Sequence, residues 1–160
     1  MEIIPVINCD DRECVSERLN KAKEFSKWVH LDVSDARFTF GKSWGDAAAW
    51  AKIGKGVSTE VHLMVEEPEK IVEQWLEAGA KRLIVHVETI TENSFEEIQN
   101  AAKKYNAELM LAISPGTPAE KLKPYFGRVS RFQVLAVHPG PSGQNFLSLS
   151  LDKIKFLRRE

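Results

Sequence analysis

The chain has 160 residues, of which 43% are hydrophobic and 28% are charged, and its formal net charge is −1. This composition is typical of one globular domain with a substantial core, so we expect a single domain over residues 1–160. The balanced charge argues against a nucleic-acid partner, which requires a basic face, and no apolar run reaches the roughly 18 residues of a membrane-spanning helix.

Short apolar segments, many of them rich in β-branched residues, recur along the chain and predict strands. Their near-continuous hydrophobicity is typical of parallel strands that are buried on both faces of a sheet. The six predicted strands cover residues 2–7, 28–33, 59–65, 82–88, 108–113 and 131–137.

Amphipathic segments lie between these strands and predict helices. The segment 12–26 places four residues on one apolar stripe, namely Val15, Leu19, Ala22 and Phe25. The helix after the third strand is predicted to begin near Pro68 and to end at Gly79. The next helix has Ser94 as its predicted N-cap, with Glu97 three residues later in a capping box. Poorer helical patterns cover residues 43–56 and 118–126, and a last helix is predicted over 149–159.

Six strand–helix repeats predict an α/β fold with a parallel sheet and right-handed crossovers. From the pattern alone, two closures of that sheet compete. A doubly wound open sheet suits six strands, whereas a (β/α) barrel usually has eight strands and about 250 residues. The pattern by itself therefore slightly favours the open sheet.

The four histidines fall at or just after the predicted ends of strands, and they are His30, His62, His86 and His138. Parallel α/β proteins bind ligands at that end of the sheet. Side chains alternate along a strand, so His30 shares a face with Asp32 and His86 shares one with Glu88. Imidazole and carboxylate groups suit zinc, iron or manganese, so His30, Asp32 and His62 predict an open metal site. A hydrogen-bonded role in the core is the alternative for each histidine.

Two other features of the sequence leave alternatives open. Gly140 and Gly143 lie in a loop that leads into a helix, where backbone N–H groups could approach a phosphate, although any tight turn favours glycine. Cys9 and Cys14 are the only cysteines. We expect them to be reduced thiols of a cytoplasmic protein, because no signal-peptide pattern precedes them; a local disulfide or a metal pair is the alternative.

Taken in order, these motifs resemble the ribulose-phosphate 3-epimerase family of TIM barrels. The family's strands two, three and four end in His-x-Asp-x-Met-Asp-Gly, His-x-Met-Val and His-x-Glu. A Pro-Gly-Thr-Pro turn and a Pro-Gly-x-x-Gly-Gln-x-Phe loop follow. This chain has HLDVSDA (30–36), HLMV (62–65), HVE (86–88), PGTP (115–118) and PGPSGQNF (139–146). The resemblance implies a TIM-barrel-like parallel fold with six of the usual eight βα units, rather than a doubly wound sheet.

The resemblance also implies a reaction and its residues. The family exchanges the proton at C3 of a pentulose 5-phosphate and interconverts D-ribulose 5-phosphate and D-xylulose 5-phosphate in the pentose phosphate pathway. Carried over, His30, Asp32 and His62 would bind a divalent metal (zinc, iron(II), manganese or cobalt), and Asp32 would also transfer a proton. The expected substrate contacts are Met64, Gly140, Gly143 and Gln144, with a loop-holding role as the alternative for Gln144.

Three further residues are expected around the ligands, namely Asp35, His86 and Glu88. We expect His86 and Glu88 to form a hydrogen-bonded pair that supports the ligands, and Asp35 either to contact the site or to cap the segment after the second strand. Asp35 and Glu88 are also the candidates for a second acid. His138 is expected to face solvent.

The departures from the family pattern keep two functions open. Val6, Ser34, Ala36 and Leu135 stand where the family has Ser, Met, Gly and Met, and the family's strands seven and eight, with the second catalytic Asp, have no counterpart here. We expect an incomplete barrel whose open edges are covered by homo-oligomerisation. The protein is then either an epimerase that acts on a sugar phosphate, or an inactive homologue that binds metal or sugar phosphate or self-assembles.

Overall fold

The computed structural model describes residues 3–160, so Met1 and Glu2, the first residue of the first predicted strand, lie outside it. Six parallel strands form one sheet in chain order and curl into an open half-barrel. They are β1 (Val6–Ile7), β2 (Trp28–Ser34), β3 (Ser58–Met64), β4 (Arg82–His86), β5 (Glu108–Ile113) and β6 (Phe132–Val134).

The strand order confirms the TIM-barrel-like α/β fold. A doubly wound sheet reverses its strand order at a switch point, whereas here each strand pairs with the next one along the chain, from β1 to β6. The doubly wound sheet favoured by the pattern alone is therefore wrong. Within the described residues β1 and β6 are the two free edges, so the barrel is not closed.

The described residues form five α-helices and two 3₁₀ helices, which lie between the strands except for the last α-helix, which follows β6. The α-helices are α1 (Arg12–Lys23), α2 (Ala47–Ile53), α3 (Val72–Glu77), α4 (Glu92–Lys104) and α5 (Leu149–Leu157). The 3₁₀ helices cover Pro68–Lys70 and Ala119–Tyr125. No helix among the described residues is long and apolar enough to cross a membrane.

Two local predictions about the helices are wrong. The capping box of α4 joins Thr91 and Ser94 rather than Ser94 and Glu97, because Thr91 has extended backbone angles and its hydroxyl accepts from the Ser94 N–H. Phe25 is 73% exposed instead of buried with Val15, because α1 ends at Lys23 and the apolar stripe ends with it.

The main core lies between the helices and the convex face of the sheet. Odd-numbered strand residues such as Leu31, Leu63 and Leu83 pack there against helix residues such as Trp50 and Trp75, all of which are almost fully buried. Even-numbered residues of β2 to β5 point to the concave face instead, as the two-residue period of a strand requires, whereas in β6 the even-numbered Phe132 and Val134 pack against the core. Most of the buried polar and charged strand residues lie on that concave face.

Cys9 and Cys14 form a disulfide between the segment after β1 and the first turn of α1. The expectation of two reduced thiols is therefore wrong, and the alternative of a local disulfide holds. The N-cap of α1 lies inside the bridged segment, where the Asp11 carboxylate accepts a hydrogen bond from the Cys14 N–H.

Candidate active site

The three predicted metal ligands lie together on the concave face of β2 and β3. His30 and Asp32 are two residues apart on β2, and the parallel register places Asp32 beside His62. His30 Nε2 lies 3.1 Å and His62 Nδ1 lies 2.9 Å from the same oxygen, Asp32 Oδ1. The candidate ligand atoms all lie within 4.8 Å of one another. The two histidines occupy positions inside their strands rather than at the strand ends.

A buried carboxylate fixes the orientation of His30. Glu60 stands beside His30 in the β2–β3 register, and Glu60 Oε1 lies 2.6 Å from His30 Nδ1. The other Glu60 oxygen pairs with Arg82, and Arg82 Nε donates to Glu108 at 2.7 Å. Since Glu60 accepts a hydrogen bond at Nδ1, the proton of a neutral His30 sits there and Nε2 presents its lone pair to Asp32.

A second chain of polar contacts orients His62. His62 Nε2 lies 2.9 Å from His86 Nε2, and His86 Nδ1 lies 3.1 Å from Glu88 Oε2. Glu88 is held in turn by the Ser114 N–H, at 2.8 Å. If His86 donates to Glu88 through Nδ1, its Nε2 accepts from His62 Nε2, which leaves the His62 Nδ1 lone pair facing Asp32.

These hydrogen bonds leave three candidate ligand atoms in a form that suits a metal ion. Two nitrogen lone pairs and a carboxylate oxygen converge on one point, and three acceptors repel one another unless a cation or a proton lies between them. Nitrogen and carboxylate donors suit zinc, iron(II), manganese and cobalt. The residues present therefore fit the divalent metal that the sequence motifs imply.

The same contacts set the charges of the site. Burial alone would lower the pKa of His30, but hydrogen bonds to Asp32 and Glu60 raise it to about 9. Burial would raise the pKa of Asp32, but both histidines hold it well below its usual range, so Asp32 is ionised at neutral pH. Burial lowers the pKa of His62 to about 4. A metal must therefore displace a proton from His30 before it binds there.

The site opens into a cavity of about 520 Å³ on the concave side of the sheet. Met64, Gly140 and Gly143 line this cavity, and so does Leu135. Gln144 lies outside it, because its Nε2 donates to the carbonyls of His138 and Pro141, at 2.7 Å each. Gln144 thus holds the loop in the way that its alternative role predicts.

Asp35 lies away from the three ligands. Its carboxylate accepts hydrogen bonds from the backbone N–H groups of Arg37, Phe38 and Glu66. These bonds cap the segment after β2 and tie it to the segment after β3. Asp35 borders another cavity, together with Lys42.

Sequence reasoning missed Glu60 and Arg82. Both are buried charges in otherwise apolar strands, and each shares a strand face with a histidine, His62 or His86. A charged residue two or four positions before a strand histidine, as Glu60 precedes His62 and Arg82 precedes His86, is a signal that could have found them, because period-two alternation puts both side chains on one face.

Comparisons with known proteins agree with these features. The family model described as the ribulose-phosphate 3 epimerase family matches residues 2–160. The chain is 33% identical over 139 residues to the ribulose-phosphate 3-epimerase of Schizosaccharomyces pombe, a match that covers 84% of this chain and 60% of that protein. It is 31% identical over 160 residues to the Chlamydia muridarum protein of the same name, covering 98% of this chain and 69% of the relative. A third relative, from Synechocystis sp., is 30% identical over 159 residues, with 98% and 69% covered.

The chain therefore spans about 60% to 69% of the length of these three relatives. The matched part includes the strands that carry His30, Asp32, His62 and His86.

Proposed function

The chain belongs to the ribulose-phosphate 3-epimerase family, and from that premise we propose that it exchanges the proton at C3 of a pentulose 5-phosphate, interconverting D-ribulose 5-phosphate and D-xylulose 5-phosphate in the pentose phosphate pathway. The observation that carries this proposal is the convergence of His30 Nε2, His62 Nδ1 and Asp32 Oδ1 beside a cavity. A zinc, iron(II), manganese or cobalt ion held by these atoms would supply a Lewis acid for the negative charge that develops when C3 loses its proton.

Asp32 is the proposed base. Its Oδ1 contacts both histidines, whereas Oδ2 has no hydrogen-bond partner among the described residues and is not fully buried. The low pKa of Asp32 keeps the carboxylate ionised, which is the form that a base requires. Asp32 is therefore able to hold its position through one oxygen and to take the C3 proton with the other.

The walls of the cavity suit a small phosphorylated sugar. Met64 and Leu135 supply buried apolar surface beside the proposed position of the reacting carbon. Gly140 and Gly143 belong to the loop that forms the opposite wall, and because these two positions carry no side chain, their backbone N–H groups are proposed to approach the phosphate. Gln144 acts indirectly by holding the shape of that loop.

A deuterium wash-in experiment tests this proposal. Ribulose 5-phosphate and xylulose 5-phosphate are incubated separately in D2O with the protein and each of the four metals in turn, and the C3 proton is followed by NMR. The proposal expects exchange at C3, which Asp32→Asn abolishes for the epimer whose C3 proton faces Asp32, while Asp152→Asn on the exposed surface of α5 leaves it unchanged. Absence of exchange with every metal, from protein shown to be folded, would overturn it.

A second candidate function is self-assembly, with or without catalysis. Exposed apolar side chains flank both free edges of the sheet: Ile3 and Val6 beside β1, and Phe146, Leu149, Leu151 and Ile154 beside β6. Large apolar side chains at unpaired edges favour association, and we propose that a second copy of the chain covers them. Without catalysis, the protein would be an inactive homologue that self-assembles and binds metal or sugar phosphate.

Sedimentation equilibrium tests the self-assembly. A dimer or larger oligomer that Leu151→Glu dissociates supports it, and Asn100→Glu serves as the control, because Asn100 is exposed on α4, the helix between the inner strands β4 and β5. A wild-type protein that sediments as a monomer at micromolar concentration contradicts it.

A further inference from the structure

We propose that His138 is the second proton-transfer residue, which acts on the face of C3 opposite to Asp32; this inference rests on the proposed function. Inversion at a carbon requires one group to remove a proton from one face and another group to return a proton to the other face. Asp32 alone exchanges a proton and returns it to the same face. A second acid is therefore needed for epimerisation.

The lining of the cavity leaves one candidate. Among the described residues that border it, the side chains that can carry or release a proton are His30, Asp32, His62 and His138. The first three contact one another and form the metal-ligand set. His138 is exposed and stands apart from that set, so it is the remaining group able to transfer a proton to a bound sugar.

The two acids considered from the sequence do not reach the cavity. The Asp35 carboxylate is occupied by three backbone N–H groups and borders another cavity. Glu88 pairs with His86 and with the Ser114 N–H, and it is not part of the cavity lining. Both side chains are thus committed to structural contacts.

The topology places His138 across from Asp32. Asp32 lies on β2, and His138 follows β6, four strands further round the curled sheet. On a half-barrel these strands face each other over the concave side, and one cavity on that side has both residues in its wall. A sugar bound there would present its two faces to the two residues.

The backbone of His138 is held in place. Gln144 Nε2 donates to the His138 carbonyl at 2.7 Å, and Asn8 Nδ2 donates to the Gly140 carbonyl at 3.0 Å. Pro139 restricts the backbone of the residue before it to extended angles. The loop is therefore anchored at His138 and two residues after it, while the His138 imidazole has no hydrogen-bond partner among the described residues.

The step balances without a further reactant. Asp32 takes the C3 proton, and the C–H electron pair forms a C2–C3 double bond while the C2 carbonyl oxygen becomes negative. The His138 imidazolium then donates its N–H proton to the other face of C3, and the C2 carbonyl is restored. Protonated Asp32 and neutral His138 afterwards exchange their proton through solvent, and no electron enters or leaves. In the reverse direction the two residues exchange roles.

Exchange and inversion, measured separately from each epimer, test the assignment. In His138→Gln the interconversion of the two sugar phosphates is expected to fall by about 100-fold or more, because general acid–base groups contribute that much. Exchange at C3 is expected to survive for the one epimer whose proton faces Asp32 and to vanish for the other. Asp32→Asn is expected to lose interconversion and to lose exchange for the epimer whose C3 proton faces Asp32, while exchange for the other epimer survives. Asn145→Ala is the control: Asn145 lies in the same loop but outside the cavity, so this variant is expected to keep both interconversion and exchange at the wild-type rates.

Two results would overturn the assignment of His138. If the wild type interconverts the epimers and His138→Gln does so within about twofold of it, the assignment to His138 is overturned while the proposed function stands. If the wild type exchanges neither epimer, the proposed function fails and the assignment fails with it. Circular dichroism and metal titration of His138→Gln establish that its fold and its metal site are intact. Recovery of interconversion by His138→Ala when free imidazole is added supports a direct proton transfer.

Discussion

His62 Nε2 lies 2.9 Å from His86 Nε2, so two buried imidazoles share one proton between them. Glu88 decides where that proton sits, because its carboxylate accepts a hydrogen bond from His86 Nδ1–H, which makes His86 Nε2 an acceptor. His62 must then donate through Nε2, and its Nδ1 lone pair turns toward Asp32. The tautomer of a metal ligand is thereby set by a carboxylate two side chains away.

Replacing His86 is therefore expected to weaken metal binding. In His86→Ala the His62 ring loses the partner that fixes its tautomer, and loss of such a supporting partner costs about 10- to 100-fold in metal affinity. Titration with zinc or manganese against a competing chelator measures the change. His138→Gln is the matched histidine control, since His138 contacts none of the ligands, and an unchanged affinity in His86→Ala contradicts the proposed role.

Glu60 is expected to matter for both metal affinity and stability. In Glu60→Gln the carboxylate that orients His30 is lost, and Arg82 keeps a buried charge with only Glu108 to pair with. Breaking a buried ion pair on one side costs about 3–5 kcal/mol, so urea unfolding is expected to show a loss of that order. Glu17→Gln, which removes an exposed pair with Lys21, is the control and is expected to change little. Equal unfolding free energies for the two variants would contradict the role of Glu60.

The sequence predicted which segments form strands, but it did not predict which residues lie beside one another on neighbouring strands. β5 has the predicted bounds 108–113, because an apolar run between turn signals marks a buried strand directly. The neighbours of His30 across the sheet depend on register instead, and one residue of slip would exchange every neighbour. The pairing of Glu60 with His30 and Arg82 was therefore out of reach, although His30, Asp32 and His62 could be named from spacing and motif.

The residues at which helices begin and end were also predicted less accurately, because more than one capping pattern fits the sequence there. Both Thr91 with Ser94 and Ser94 with Glu97 have the spacing of a capping box, and the sequence does not rank them. The structure selects Thr91 because the chain is extended there and turns helical at Glu92. The role of His138 was hidden for a related reason, because a loop after a short strand follows no periodic pattern.

Glu88 is expected to make stability depend on pH in the acid range. Burial alone would raise its pKa, but hydrogen bonds from His86, Thr117 and the Ser114 N–H lower the pKa to about 2 from its ordinary value of 4.5. A lowered pKa means that the folded state favours the ionised form. The contribution is therefore complete above about pH 4.5 and is lost as the pH falls toward 2.

Urea unfolding of the wild type and Glu88→Gln at about pH 7 and about pH 3 measures this effect. The wild type is expected to lose stability between the two values, on the order of 1–2 kcal/mol, through Glu88. Glu88→Gln is expected to lose less, because it has no carboxylate to protonate there. Asp152→Asn, an exposed carboxylate on α5, is the control and is expected to follow the wild type. Parallel pH profiles for the wild type and Glu88→Gln would contradict the assignment.

Gly140 is expected to control the position of His138. Its φ of +119° lies in a region that other residues rarely adopt, and a Cβ there would stand 3.1 Å from the Phe40 carbonyl oxygen. Gly140→Ala therefore either strains the backbone or moves the loop, and a strained φ costs on the order of 1–3 kcal/mol. Movement of the loop shifts His138 away from Asp32, so interconversion of the epimers is expected to fall further than exchange at C3 from the epimer that faces Asp32.

Gly116→Ala is the matched control for this last change. Gly116 lies in another loop, has no positive φ, and leaves open space for a methyl group. It is expected to keep both the unfolding free energy and the interconversion rate of the wild type. Should Gly140→Ala behave like Gly116→Ala in both measurements, the loop does not depend on the glycine backbone, and the anchored placement of His138 loses its support.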